Sequence, residues 1–179
     1  ITVDGTEGGT GAAPVELSNS VGMPFRQGLW FVNNALRGVG FRDRVRVVAA
    51  GKIVTGFHLF RAVALGADLC NSARPMMFAL GCIQARQCNT NTCPVGVATQ
   101  NPAQTVGLVP ADKGPRVARY QAATVKAFLD MVSAAGLEDP CDIRPFHVDR
   151  RVAGPDVQSF AKLYPWMPDG FLMDESVIP

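Results

Sequence analysis

Three short apolar runs, Ile1–Val3, Arg44–Ala50 and Ala67–Cys70, are each followed by a loop and then by a helical pattern. That alternation constrains the chain more than any other feature. A strand whose successor is reached through a helix returns in the same direction, so the strands form a parallel sheet with helical crossovers. The spacing predicts a first helix over Phe25–Arg37, with Pro24 near its first turn and Phe25, Leu29, Val32 and Leu36 as one apolar stripe. Gly38 and Gly40 end it. Thr55 is the expected N-cap of a second helix that buries Phe57, Phe60, Ala64 and Leu65 and stops at Gly66. A helical turn over Met76–Leu80 follows the third strand.

An open doubly wound sheet and a (β/α)8 barrel both satisfy this order. The loops Ala50-Gly51-Lys52 and Ser72-Ala73-Arg74 favour the barrel. They stand where a barrel builds a phosphate site, from two successive βα loops and a short helix start. On spacing alone, Lys52 and Arg74 read equally well as solvated surface charges. Gly51 is the candidate for a backbone contact, and a Cβ there is expected to intrude on the closest approach to a ligand.

Beyond the third helix, residues 81–100 place Cys82, Cys88 and Cys93 as C-x5-C-x4-C, followed at once by Pro94. Thiolates are soft ligands for iron–sulfur clusters, zinc or copper. Zinc sites use closer cysteine pairs and four ligands, and the histidines, His58 and His147, lie far off in sequence. Three thiolates without a nearby fourth suit an open-vertex cluster of three irons and four sulfurs. The alternative, three unrelated core thiols, sits poorly with the polar neighbours Gln84, Arg86, Gln87, Asn89, Thr90, Asn91 and Thr92.

After that loop, Lys113–Ala135 reads as the longest helix, with Val125, Phe128, Leu129 and Val132 on one face and Gly136 as its stop. Residues 136–179 are proline-punctuated and expected to form a helical or irregular tail, with Tyr164 and Trp166 as its anchor. Cys70, Cys141, His58 and His147 read as structural residues. With a net charge of +2 and scattered basic residues, no nucleic-acid surface is expected. No apolar run is long enough for a membrane span, and no signal peptide is legible. Five cysteines, three of them clustered, point to metal chemistry in a reducing compartment, the cytoplasm by default. A chain that opens directly on the strand Ile1-Thr2-Val3 reads as the C-terminal part of a longer enzyme.

Two stretches carry a resemblance. Gly81–Gln100, with Cys-Pro-Val-Gly-Val-Ala-Thr-Gln at 93–100, resembles the cluster loop of the glutamate synthase large subunit and its shorter FMN-binding relatives. Glu7–Pro14, Glu-Gly-Gly-Thr-Gly-Ala-Ala-Pro, resembles that family's loop over flavin and substrate, which more often has Ser at position 13. The resemblance covers roughly residues 1–135 and implies the C-terminal portion of a (β/α)8 TIM barrel, with an inserted iron–sulfur loop at 81–100 and the tail 136–179 packing on it. It implies FMN held by Gly8, Gly9, Thr10, Gly11, Gly51, Lys52, Ala73 and Arg74, and a 3Fe–4S cluster held by Cys82, Cys88 and Cys93. Relatives commonly have Gly-Gly where Gly51-Lys52 stand. The family reaction is reductive amination of 2-oxoglutarate to glutamate through 2-iminoglutarate, with electrons from ferredoxin or an NAD(P)H-oxidising subunit. The resemblance assigns no catalytic side chain in this stretch. Alternatives are an N-methylglutamate-forming flavoenzyme and an iron–sulfur electron-transfer module without turnover of its own.

Overall fold

The computed structural model describes residues 1–7, 13, 14, 17, 20–174 and 176. Its centre is a parallel three-stranded sheet of β1 (Thr2–Asp4), β2 (Val48–Ala50) and β3 (Leu69–Asn71), in that spatial order. The register aligns Asp4, Ala50 and Asn71 at the C-terminal edge. The helices α1 (Phe25–Gly38) and α2 (Gly56–Ala64) make the crossovers, and α3 (Arg74–Leu80) follows β3. The protein is thus α/β with a parallel sheet, as the alternation predicts.

Two strands are shorter than expected. Arg42–Arg44 form a single 3-10 turn, and the Arg42 guanidinium donates to the carbonyls of Val45 and Gly66 and to the Asp68 carboxylate. Asp68 in turn accepts the Val47 N–H at 2.7 Å. Side chains thereby occupy the backbone groups that a longer ladder would need. At the other end of the crossover, the Ala67 N–H donates to Ala62 and the Gly66 N–H to Val63. This closes α2 in a Schellman turn and delays β3 to Leu69.

The core lies between the sheet and the helices. Phe25 and Leu29 of α1, Ala49 of β2, Ile53, and Phe60, Ala62 and Ala64 of α2 are buried. In α1 the expected stripe holds, with Val32 and Leu36 half-buried. In α2 the expectation fails at Phe57, which is 46% exposed, because the helix turns its Gly56–Phe60–Ala64 side inward. Thr55 caps α2 as expected, and the Thr55 N–H donates to His58 Nδ1, completing a capping box.

The long helix α5 (Pro110–Ala134) follows the one-turn α4 (Pro102–Thr105) and packs over α2 and α3. Its inner side is Phe128, Met131 and Val132, whereas Val125 and Leu129 are 37% and 46% exposed. The predicted stripe is therefore half right: the Phe128 backbone comes so close to Gly56 that the contact line is set there.

The tail is more ordered than its prolines suggest. β4 (Asp149–Ala153) and β5 (Asp156–Ser159) form an antiparallel hairpin, followed by the short α6 (Phe160–Leu163). The polar strands hide the hairpin from a periodicity reading, since most of their residues are exposed on both faces. Ile143, Val148, Phe160 and Tyr164 are buried and join the core. Trp30 Nε1 and Asn34 Nδ2 both donate to the Pro165 carbonyl, and Asn34 Oδ1 accepts from Met167 N–H. Arg37 donates to Met167 O, pairs with Asp169 at 2.9 Å and lies 5.1 Å from the Trp166 ring centre.

Candidate cofactor and metal centre

In parallel α/β sheets, ligands bind beyond the carboxyl ends of the strands, where the loops open to one side. Here that edge carries a cavity of about 390 Å³ lined by Asp4, Glu7, Gly51, Lys52, Asn71, Ala73, Arg74 and Gln84, among others. The register of Asp4, Ala50 and Asn71 brings the three following loops to one rim. Thus Gly51, Lys52, Ala73 and Arg74, singled out in the sequence, line one space. Gly8, Gly9, Thr10 and Gly11 lie outside the described residues.

Side chains brace the rim from several directions. The Glu7 carboxylate accepts the Phe25 N–H at 2.7 Å, starting α1 from a remote position because Pro24 has no side-chain cap to offer. Ser72 Oγ donates to Ile53 O at 2.7 Å, joining the loops after β2 and β3. The Tyr120 hydroxyl of α5 donates to the Val54 carbonyl. Lys52 and Arg74 form no ion pair with described residues, and with Asp4 and Glu7 on the same lining the cavity carries groups of both signs.

Gly51 has a second constraint beside the cavity. A Cβ there would stand 2.9 Å from Cγ of the buried Phe25. The glycine lets the loop lie against α1. It is the next residue, Lys52, that sits at φ 48°, the left-handed region that glycine occupies freely.

The cysteine loop starts from the stop of α3. Gly81, at φ 109°, lets Gly81 and Cys82 N–H donate back to Phe78 and Met77, which places Cys82 directly on the helix end. Cys88 opens a 3-10 turn over Cys88–Thr90. Among the described residues, the non-glycine residues with positive φ are Lys52, Gln84, Arg86 and Asn91, all in the cavity rim or this loop. Such conformations persist where the surroundings over-determine them, and they concentrate at functional sites. Asn91 is held by its own contacts: its carbonyl accepts from Thr99 Oγ1 and its Oδ1 from the Gln100 N–H at 2.6 Å.

Cys93 is 6% exposed, covered by its own loop. Burial opposes its ionisation. The nearby backbone N–H groups of Ala98, Val95, Val97 and Gly96 outweigh it and hold its pKa below the ordinary thiol value. Cys82 Sγ accepts the Gln84 N–H at 3.5 Å. Residues 81–100 contain no Asp or Glu. Three thiols in one loop without a carboxylate are a donor set that suits a thiolate-ligated iron–sulfur group. The three thiols share the loop without coming together: among the described residues, no three His, Cys, Asp or Glu side chains form a group that could hold a metal ion. The donor set thus fits such a group in kind.

Residues set aside in the sequence have structural surroundings. Burial pushes the Cys70 thiol up to about 12. His147 Nδ1 accepts the Arg144 N–H at 2.9 Å, and Cys141 is exposed beside Asp139, which raises its pKa by hydrogen bond and charge. Sequence reasoning placed Glu7 in the binding loop, and it lines the cavity, but it missed Asp4, Asn71 and Gln84. Asp4 and Asn71 end their strands, a position that points to the site in any parallel sheet.

Fold and site together define an α/β protein with a ligand cavity at the carboxyl edge of a parallel sheet and a cysteine-bearing loop packed beside it. The family model for the conserved region in glutamate synthase matches residues 1–138. The chain belongs to the glutamate synthase family. It is 42% identical over 148 residues to a glutamate synthase large subunit-like protein of Bacillus subtilis, which covers 83% of this chain and 28% of that protein. It is 36% identical over 137 residues to an archaeal glutamate synthase [NADPH] of Methanocaldococcus jannaschii, over 76% of this chain and 27% of the relative. A ferredoxin-dependent glutamate synthase of Arabidopsis thaliana matches at 42% over 100 residues, 56% of this chain and 6% of that protein. The chain therefore spans less than a third of the length of these relatives. No helix among the described residues is long and apolar enough to cross a membrane.

Proposed function

We propose that this chain forms the cofactor-binding part of a glutamate synthase-type oxidoreductase, with residues 1–135 as the C-terminal portion of a (β/α)8 barrel and 136–179 packing on it. One observation carries the reading: Gly51, Lys52, Ala73 and Arg74 line a single cavity that Gln84 of the cysteine loop also lines. Lys52 and Arg74 would hold the FMN phosphate by charge, with backbone N–H groups at Gly51 and Ala73 beside them. Asp4, Glu7 and Asn71 offer acceptors and an amide to the polar parts of a bound cofactor. Cys82, Cys88 and Cys93 would hold the 3Fe–4S cluster, which their spacing within one loop supports. When bound, FMN supplies hydride transfer and the cluster single-electron transfer.

The reaction is reductive amination of 2-oxoglutarate to glutamate, with two electrons from a ferredoxin or an NAD(P)H-oxidising subunit. The NADPH- and ferredoxin-dependent relatives support that pairing. Five cysteines, three of them clustered in one loop, support metal chemistry in a reducing compartment such as the cytoplasm. The test is to purify the full-length protein without oxygen and measure FMN, iron and sulfide. Glutamate formation from 2-oxoglutarate is then assayed with ammonia and with methylamine. About one FMN and three irons per chain with ammonia-dependent turnover are expected. Turnover with methylamine alone would make it an N-methylglutamate-forming enzyme. Cofactors without turnover would make it an electron-transfer module, and stoichiometric zinc without sulfide would end the iron–sulfur reading.

A further inference from the structure

A second cleft, of about 360 Å³, opens where α5 packs on α3. It shares Val54, Pro75 and Phe78 with the cofactor cavity and no other residue, so an apolar wall divides the two spaces. Ala79 and Tyr120 complete its apolar lining. The Tyr120 hydroxyl is already given to the Val54 carbonyl, which leaves its ring to the cleft. The polar groups are the guanidinium groups of Arg116 and Arg119, on one face of α5 at i, i+3. No carboxylate lines the cleft, and neither arginine makes an ion pair or a hydrogen bond with a described residue. Asp112 lies within electrostatic reach of both, but Lys113 holds its carboxylate at 2.8 Å. Arg116 Nη1 is 3.9 Å from where a Cβ at Gly81 would stand, beside the carbonyl end of α3, which attracts a cation. That accounts for where Arg116 sits and leaves its donors unused.

An apolar space of this size with a few convergent polar groups is what a small ligand requires. We propose that this cleft is a second ligand site, which takes a small aromatic monocarboxylate. The carboxylate lies on the forks of Arg116 and Arg119, whose planar donors match its geometry. The ring lies against Pro75, Phe78 and Ala79. Other ligand classes each leave a cost. An inorganic anion leaves the apolar lining wet, and a neutral aromatic leaves the guanidinium groups without an acceptor. A dicarboxylate such as 2-oxoglutarate brings a second charge against apolar groups. The site goes beyond the reading given under Proposed function and depends on neither flavin nor iron–sulfur centre.

The experiment is calorimetric titration of the full-length protein with 2-naphthoate, with 2-naphthalenemethanol as the neutral analogue. The wild type is expected to bind the acid at one site and the alcohol at least ten-fold more weakly. Arg116→Gln and Arg119→Gln should each weaken naphthoate binding about ten-fold, and both keep a good helix former on the surface of α5. Ala79→Phe fills the cleft and should abolish binding. Lys126→Gln removes a cation of the same helix that does not line the cleft, and should bind as the wild type does. Saturating FMN should leave the affinity unchanged, and 2-oxoglutarate should not displace the ligand. Thermal denaturation of each variant confirms that it folds; should Ala79→Phe fail to fold, the two arginine variants decide. The proposal is overturned if the wild type does not bind naphthoate, if both arginine variants bind it as tightly, or if Lys126→Gln weakens it equally. Equal affinity for the alcohol, or displacement by 2-oxoglutarate, would overturn the ligand class. Displacement by FMN would place the ligand in the cofactor cavity and end the second site. A protein that binds naphthoate but holds no FMN or iron would sink the functional reading and leave this site standing.

Discussion

The Asp68 carboxylate accepts the Val47 N–H at 2.7 Å through the same oxygen that meets the Arg42 guanidinium at 3.0 Å. That bond ties the start of β2 to the start of β3 and explains why neither strand begins earlier. Burial works against ionisation of Asp68, but the Val47 N–H and Arg42 outweigh it and hold its pKa below the usual carboxylate range. A folded-state value below the unfolded one stabilises the protein above about pH 4. That contribution is lost as pH falls through the lower, folded-state value. Asp68→Asn is expected to lower unfolding free energy by about 1.5–3 kcal/mol at pH 7 and to flatten the acid limb of the stability curve. Urea denaturation of both proteins between pH 3 and 7 checks it; equal slopes on the acid side would refute the linkage.

Gly51 and Lys52 make opposite predictions. A side chain at 51 meets Phe25, which is 2% exposed, so Gly51→Val is expected to cost roughly 1–3 kcal/mol of stability through the packing of α1. Lys52 is in the left-handed region, which costs a non-glycine residue about 1–2 kcal/mol, partly offset by the entropy glycine loses on folding. Lys52→Gly should therefore raise the unfolding free energy by roughly 0.5–1 kcal/mol while weakening FMN retention. Thermal denaturation and flavin content, measured on both variants, separate the two effects. A stable Gly51→Val protein that has merely lost FMN would restore the ligand-cradle role for that glycine.

Asn34 is 8% exposed and holds the tail with both ends of its amide, donating to Pro165 O and accepting from Met167 N–H. Asn34→Ala leaves the Met167 N–H without its partner, while the Pro165 carbonyl keeps Trp30 Nε1, and should cost about 1–2 kcal/mol. The loss should be local. Faster amide hydrogen exchange is expected in residues 164–170 and not in β1–β3. Uniform acceleration across the sheet would mean that the tail unfolds only with the whole protein.

Tyr120 reaches from α5 to the Val54 carbonyl at the cavity rim. Tyr120→Phe removes only the hydroxyl and is expected to cost about 1 kcal/mol of stability and to loosen the loop that carries Lys52. FMN binding by fluorescence quenching should weaken a few-fold, since a looser loop must be ordered on binding. Unchanged affinity would show that Val54 is held in place without this bond.

Cys70 is half-buried with its pKa raised to about 12 by burial, whereas thiol reactivity follows the thiolate. In the native protein at pH 8, Cys70 should remain unmodified by iodoacetamide until the chain unfolds. Peptide mapping of labelled protein tests this; rapid native labelling would contradict its burial.

The sequence by itself determined the order of elements and the parallel sheet, because strand, loop and helix alternate with signals that act locally. Thr55 as a cap, Pro24 at the start of α1 and Gly81 at the stop of α3 each act within one helical turn. Local signals also marked Gly51, Lys52, Ala73 and Arg74, and the cysteine spacing singled out its loop. Which apolar residues face inward was only partly legible: Phe57, Val125 and Leu129 carry helical spacing yet stay exposed, since partner helices choose the face and a single helix cannot. The hairpin of β4 and β5 escaped because its polar residues lack alternation. Only the tertiary structure decided that a Cβ at Gly51 would meet Phe25, that Glu7 starts α1, and that Gln84 turns back to the cavity. Those are contacts between residues far apart in the chain, or departures into left-handed backbone. Their energies depend on what the fold brings alongside, which no local pattern of residues encodes.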